Sequence, residues 1–113
     1  MIRGDVYHAT LETPQGSEQA GTRPVVIVSR DAINRTSPVV IVVPITSRSN
    51  KNRIYPSHVE IKAGEAGLTA DSIALCEQVR AIAVSRLNRS MGHLSNHGIS
   101  QINAALKIAL DLP

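Results

Sequence analysis

Two uninterrupted β-branched runs set the limits on what this chain can fold into. Pro24 opens Val25-Val26-Ile27-Val28, and Pro38 opens Val39-Val40-Ile41-Val42-Val43. Val and Ile without polar alternation describe strands buried on both faces, so the architecture must supply a layer on each side. Shorter β-favouring stretches recur between glycine and proline turns: Asp5 to Leu11 behind Gly4, the alternating His58-Val59-Glu60-Ile61, and, after the Gly64 and Gly67 turn, Ser72 to Val84. Helix is the rival reading for Ser72 to Val84, because its Ala, Glu, Gln and Leu also propagate helices.

Pro44 cannot donate to a ladder, so Ile45-Thr46-Ser47 is expected at a bulge or strand end facing an opening. Arg48 to Arg53 follows as a polar, basic, hairpin-like loop. Arg30 to Ser37 reads as a short helical turn with Asp31 near its start. Ile99, Ile102, Leu106, Ala109 and Leu110 fall on one stripe of a C-terminal helix, with Ser95 as its cap and Gly98 as a weak point in its first turn. Many short strands and one terminal helix predict a curled antiparallel sheet or small barrel, in one domain spanning residues 1–113.

Composition narrows the function. The chain has 113 residues, two Tyr and neither Phe nor Trp, so the core is aliphatic and a base-stacking aromatic platform is disfavoured. Twelve Lys and Arg against nine Asp and Glu give a net charge of +3, mostly from Arg, whose planar fork suits phosphate. Cys76 is the only cysteine, which rules out an internal disulfide and fits a reducing compartment. Met1 leads directly into a strand pattern without an apolar signal core or membrane-length run, so a soluble, unprocessed, cytoplasmic protein is expected. On that reading the sequons Asn34-Arg35-Thr36 and Asn88-Arg89-Ser90 and the tripeptide Arg3-Gly4-Asp5 are accidental.

Few residues here carry chemistry. His93 and His97 are spaced by four, but Gly92 and Gly98 bracket them, so a surface or capping role is favoured over metal binding. Cys76 lies in the apolar Ile73-Ala74-Leu75-Cys76 and reads as a buried, inert thiol. Glu12 to Thr22, with Pro14, Gly16 and Gly21, reads as an ordered loop, and the stretch Gly16 to Pro24 is different because it concentrates hydrogen-bonding groups and one acid–base pair immediately before a buried strand. Arg23, held extended by Pro24, is placed at the strand mouth to grip an anionic oxygen, or to salt-bridge Glu18. Thr46 offers a hydroxyl to a phosphate oxygen, or serves as a β-former at a ladder end.

Together, Arg3-Gly4-Asp5-Val6-Tyr7 and Gly16-Ser17-Glu18-Gln19-Ala20-Gly21-Thr22-Arg23-Pro24-Val25-Val26-Ile27-Val28-Ser29 resemble the N-terminal signature of the MazF/PemK toxins. Val43-Pro44-Ile45-Thr46-Ser47 resembles that family's second motif, and Asp71 to Ile82 its third, in the same order and at similar spacing. The resemblance implies a mainly β, α+β fold: an SH3-like curled antiparallel barrel with a C-terminal helix and short additional helices. It implies a homodimer with RNA grooves at its interface, covered by a MazE-like antitoxin, and contact with DNA only through the toxin–antitoxin complex.

The resemblance also implies sequence-specific cleavage of single-stranded RNA, without ribosome, metal or cofactor, leaving 2′,3′-cyclic phosphate and 5′-hydroxyl ends. Arg23 then matches the family's catalytic arginine, supplying charge stabilisation and a proton, and Thr46 its catalytic threonine, bonding a nonbridging oxygen. Glu18 is the candidate base. Ser17, Gln19, Gln78 and Arg86 match RNA-contacting positions, and Arg48 and Tyr55 of the basic loop are added for phosphate steering and base stacking. Absence of Phe and Trp from the first strand and loop leaves base preference undefined. Two rivals share the fold: a gyrase-poisoning toxin, which needs no Arg23 and Thr46 pair, and a non-catalytic nucleic-acid-binding repressor.

Overall fold

The computed structural model describes residues 1–11 and 21–113. Among the described residues, seven strands form one antiparallel sheet in the order β4-β5-β3-β2-β1-β7, with β6 pairing β3 beside β5. The strands are β1 (Asp5–Leu11), β2 (Gly21–Ile27), β3 (Val39–Ser47), β4 (His58–Ile61), β5 (Ser72–Leu75), β6 (Arg80–Ala83) and β7 (Leu87–His93). The helices are α1 (Asp31–Thr36) and α2 (Asn96–Leu110). The fold is therefore mainly β with α, a curled antiparallel sheet carrying a C-terminal helix.

Burial on both faces holds for β2, where neighbours point opposite ways. Val26 joins Val6, Val43, Ile45, Leu94, Ile102 and Ala105 under α2. Val25 and Ile27 join Ala9, Leu11, Val40, Val42 and Ile82 on the other face. There the turn at Val84–Arg86 comes back against β1. β3 departs from the expectation, since Val39 is 41% and Ile41 37% exposed.

The helix stripe holds through Ile99, Ile102, Leu106 and Ala109 but not at Leu110. Ser95 caps α2 by accepting a hydrogen bond from the Gly98 N–H, Ile102 and Ala105 are buried, and Leu110 in the last turn is exposed. Gly98 is a close-packing point as well, because a Cβ there would stand 2.9 Å from Glu65 Oε2.

Pro44 does not interrupt β3, and the reason lies in the neighbours. On one edge β3 pairs β6 through residues 39–42 and then β5 through residues 45–47. Val43 and Pro44 sit in the gap between those partners. On the opposite edge Pro44 is the last β3 residue that β2 reaches, opposite Val25. A missing N–H costs least at such a change of partner.

Three further readings are corrected. Gly21 and Thr22 belong to β2, whose first four residues pair only with β1, so Pro24 is accommodated inside a strand. The segment after β3 is not a hairpin, because β4 lies beyond β5 rather than beside β3. Ser72 to Val84 is not one strand: a 3-10 turn at Cys76–Gln78 divides β5 from β6, and each then pairs a different stretch of β3.

Candidate active site

The site follows from the way β2 and β3 part. Their ladder ends at Val25 opposite Pro44. Beyond it β2 continues on β1, with Arg23 opposite Ala9, while β3 continues on β5, with Thr46 opposite Ile73. Had the ladder run two residues further, its register would set Arg23 opposite Thr46 on the same face. The strands instead splay, and the opening between them is a cleft of about 490 Å³ lined by both residues. Pro24 and Pro44 stand at the fork, and neither can donate a ladder hydrogen bond.

Because the strands have separated, residues of both faces border the opening. His8 of β1, which pairs with Pro24 and with Arg89 of β7, lines it with Thr22, Pro24, Met91 and Arg89 itself. The far wall comes from β3, the turn after it, and residues 67–70. No Asp or Glu is among the described lining residues, whereas Arg23 and Arg89 are. A cleft with that balance concentrates anions.

Thr46 is only 4% exposed. Its Oγ1 accepts a hydrogen bond from Asn50 Nδ2 at 3.1 Å, and Asn50 also lines the cleft. A hydroxyl can accept and donate at once, so this contact leaves the Thr46 proton available to an incoming oxygen.

The remaining candidates fall elsewhere. Ser17, Glu18 and Gln19 lie outside the described residues. Arg48 donates from its backbone N–H to the Asp71 carbonyl at 2.8 Å and from Nη1 to the Lys51 carbonyl at 2.6 Å, so its guanidinium braces its own turn. Tyr55 is exposed, edge-on to His58 at 5.3 Å between ring centroids, with Arg53 5.8 Å from its ring. It borders a different depression, with Pro56, Glu77 and Ile108. Gln78 and Arg86 end the 3-10 turns before β6 and β7 and do not line the cleft.

The two other singled-out groups have defined surroundings. Cys76 is fully buried, and desolvation, with the Glu77 carboxylate adding to it, pushes its thiol from 9.0 up to about 12. That leaves it protonated and unreactive. His93 Nδ1 lies 2.8 Å from Asp5 Oδ1, tying the end of β7 to the start of β1, while His97 opens α2.

His8, Arg89 and Asn50 were not among the sequence candidates. β7 was the obstacle for Arg89: Leu87-Asn88-Arg89-Ser90-Met91-Gly92-His93 is polar and holds no β-branched residue, so it carries little strand signal. His8 could have been singled out as the polar residue at the centre of an apolar strand.

Residues 2–110 match the family of PemK-like, MazF-like toxins of type II toxin–antitoxin systems. The chain belongs to that family. An endoribonuclease MazF of Staphylococcus saprophyticus is 47% identical to this toxin over 112 residues, 99% of this chain and 92% of that one. Among solved structures, an endoribonuclease in complex with its cognate antitoxin, from a mycobacterial species, superposes with a TM-score of 0.79 at 26% identity, covering 100% of this chain and 97% of that one. MazF of Deinococcus radiodurans shares the fold, with a TM-score of 0.82 at 21% identity over 98% of this chain and 96% of that one. No helix of the toxin among the described residues is long and apolar enough to cross a membrane.

Proposed function

We propose that this chain, an endoribonuclease toxin of a type II toxin–antitoxin system, cleaves single-stranded RNA at the Arg23–Thr46 cleft by turning the substrate's own 2′-hydroxyl on the adjacent phosphorus. The observation that carries the reading is the convergence of Arg23 and Thr46 on one cleft at the fork of β2 and β3, with no Asp or Glu among its described lining residues.

The reaction needs the 2′-hydroxyl proton removed, the phosphorane charge neutralised and the departing 5′-oxygen protonated. The O2′–P bond forms as the P–O5′ bond breaks. Glu18 takes the 2′ proton. Arg23 holds the nonbridging oxygens through its fork of donors, and Thr46 donates its hydroxyl to one of them. The leaving oxygen takes its proton from Arg23 or from solvent. No bound metal or cofactor enters these steps. Ser17, Gln19, Arg48, Tyr55, Gln78 and Arg86 are proposed contacts for nucleotides flanking the scissile phosphate.

The toxin is further proposed to act as a homodimer in the cytoplasm and to be silenced by a MazE-like antitoxin laid over the RNA groove. The antitoxin seen with the mycobacterial neighbour supports that partner. The exposed Ile33, Val39 and Ile41 give a second copy apolar surface to cover.

The test is the identity of the ends formed when a long single-stranded RNA is incubated with purified toxin in EDTA. Cyclic phosphate and 5′-hydroxyl ends at a recurrent short sequence are expected, and a single 2′-deoxy nucleotide preceding the cut should abolish that cut. Ends bearing 5′-phosphate, or cutting of the 2′-deoxy site, would refute the mechanism. Intact RNA would move the gyrase-poisoning or repressor reading ahead.

A further inference from the structure

Thr46 can assist cleavage only if its hydroxyl proton points at the phosphate. A buried hydroxyl rotor has no such preference by itself. The turn after β3 supplies one. Lys51 N–H donates to the Arg48 carbonyl at 3.1 Å, closing a 3-10 turn at Arg48–Asn50. Arg48 N–H donates to the Asp71 carbonyl at 2.8 Å, which ties that turn to the segment entering β5. Ser47 and Ser49 hydroxyls meet at 2.9 Å, and the Arg48 guanidinium donates to the Lys51 carbonyl. So braced, the chain folds back over four residues and brings Asn50 Nδ2 to 3.1 Å from Thr46 Oγ1.

We propose that Asn50 is a positioning residue for RNA cleavage: its amide N–H occupies a lone pair of the Thr46 hydroxyl and thereby turns the Thr46 proton into the cleft. The inference rests on the reading that Thr46 bonds the scissile phosphate. Two features set it apart from a merely structural contact. Asn50 itself lines the cleft, and the turn is already held by four bonds that do not involve its side chain. The amide is therefore surplus to the fold of the turn. A donated N–H also polarises the hydroxyl, strengthening the bond that the hydroxyl donates onward.

The experiment is a double-mutant cycle between Asn50→Ala and Thr46→Val, with Asn50→Asp as a polarity swap. Single-turnover cleavage is measured on an oligonucleotide with one cut site, and binding on the same oligonucleotide blocked by a 2′-deoxy nucleotide. Asn50→Ala should slow cleavage by on the order of tenfold, as expected for one oriented hydrogen bond, with blocked-substrate affinity and melting temperature nearly unchanged. Asn50→Asp, which accepts the Thr46 proton instead of donating, should be slower still. In the Thr46→Val background, Asn50→Ala should cost less than about twofold, because coupled residues are not additive.

An equal cost of Asn50→Ala in both backgrounds, or unimpaired cleavage by Asn50→Ala and Asn50→Asp beside a slow Thr46→Val, overturns the inference alone. A Thr46→Val protein that cleaves at the wild-type rate overturns the role given to Thr46, and the inference with it.

Discussion

Gly64 and Gly67 allow the wall of the cleft to be tested with a built-in control. Both have left-handed backbone, with φ of +95° and +76°, so alanine at either pays a similar conformational cost of about 1 kcal/mol. They differ in space. A Cβ on Gly64 meets nothing within 4 Å, whereas one on Gly67 would stand 2.2 Å from the Met91 carbonyl oxygen and 2.9 Å from its carbon. Those atoms belong to the backbone of β7 and cannot swing aside as a side chain would. Relief requires the 3-10 turn at Glu65–Gly67 to lift from β7, a backbone shift costing a further 1–3 kcal/mol or so.

Gly64→Ala should therefore lower stability by about 1 kcal/mol and Gly67→Ala by about 3 kcal/mol. Thermal melts should separate the two variants by roughly 5–10 °C for a chain of this size. Gly67 and Met91 both line the cleft and Gly64 does not, so cleavage should fall in Gly67→Ala and persist in Gly64→Ala at temperatures where both are folded. Equal melting shifts would show that the turn does not press on β7, and full activity in Gly67→Ala would show that the cleft wall plays no part.

Other substitutions probe separate parts of the account. Ile102 is 2% exposed under the sheet and Ile108 is 57% exposed on the same helix. Ile102→Ala should cost about 2–5 kcal/mol in urea unfolding and Ile108→Ala under about 0.5 kcal/mol, and similar costs would contradict the assigned face of α2. Between pH 9.0 and about 12 the folded chain keeps the Cys76 proton that the unfolded chain releases. Stability is therefore full below that window and falls as pH rises through it, by up to about 1.4 kcal/mol per pH unit. The Cys76→Ala protein should show a shallower decline between pH 9 and 10.5, and parallel curves would refute this. Arg89→Ala should weaken RNA binding across sequences and reduce the salt dependence by about one counterion; an unchanged slope means that Arg89 touches no phosphate.

What could be read from sequence was whatever rests on local pattern. β1 announces itself through β-favouring residues between turn signals, β4 through alternation and α2 through a helical stripe, and the Ser95 cap fell where its hydroxyl was needed. What could not be read depends on partners distant along the chain. Pro44 looks like a terminator until β3 is seen to exchange β6 for β5 beside it. β7 is a polar edge strand placed by β1, not by its own propensity. Arg23 and Thr46 were available as candidates through their local context and the family resemblance, but their juxtaposition comes from a register between β2 and β3 that no single segment carries. Asn50 was invisible because an Asn in a polar turn looks the same whether or not it reaches back to a threonine.

Arg23 and Thr46 are proposed to act together on RNA in one cleft. The most direct test is the cleavage rate of wild type, Arg23→Ala and Thr46→Ala on one defined single-stranded RNA in EDTA, with circular dichroism confirming that each is folded. A loss on the order of a hundredfold or more is expected for each folded variant, the usual cost of removing one preorganised donor to a developing oxyanion. Folded variants that cut the same RNA at the wild-type rate would contradict it.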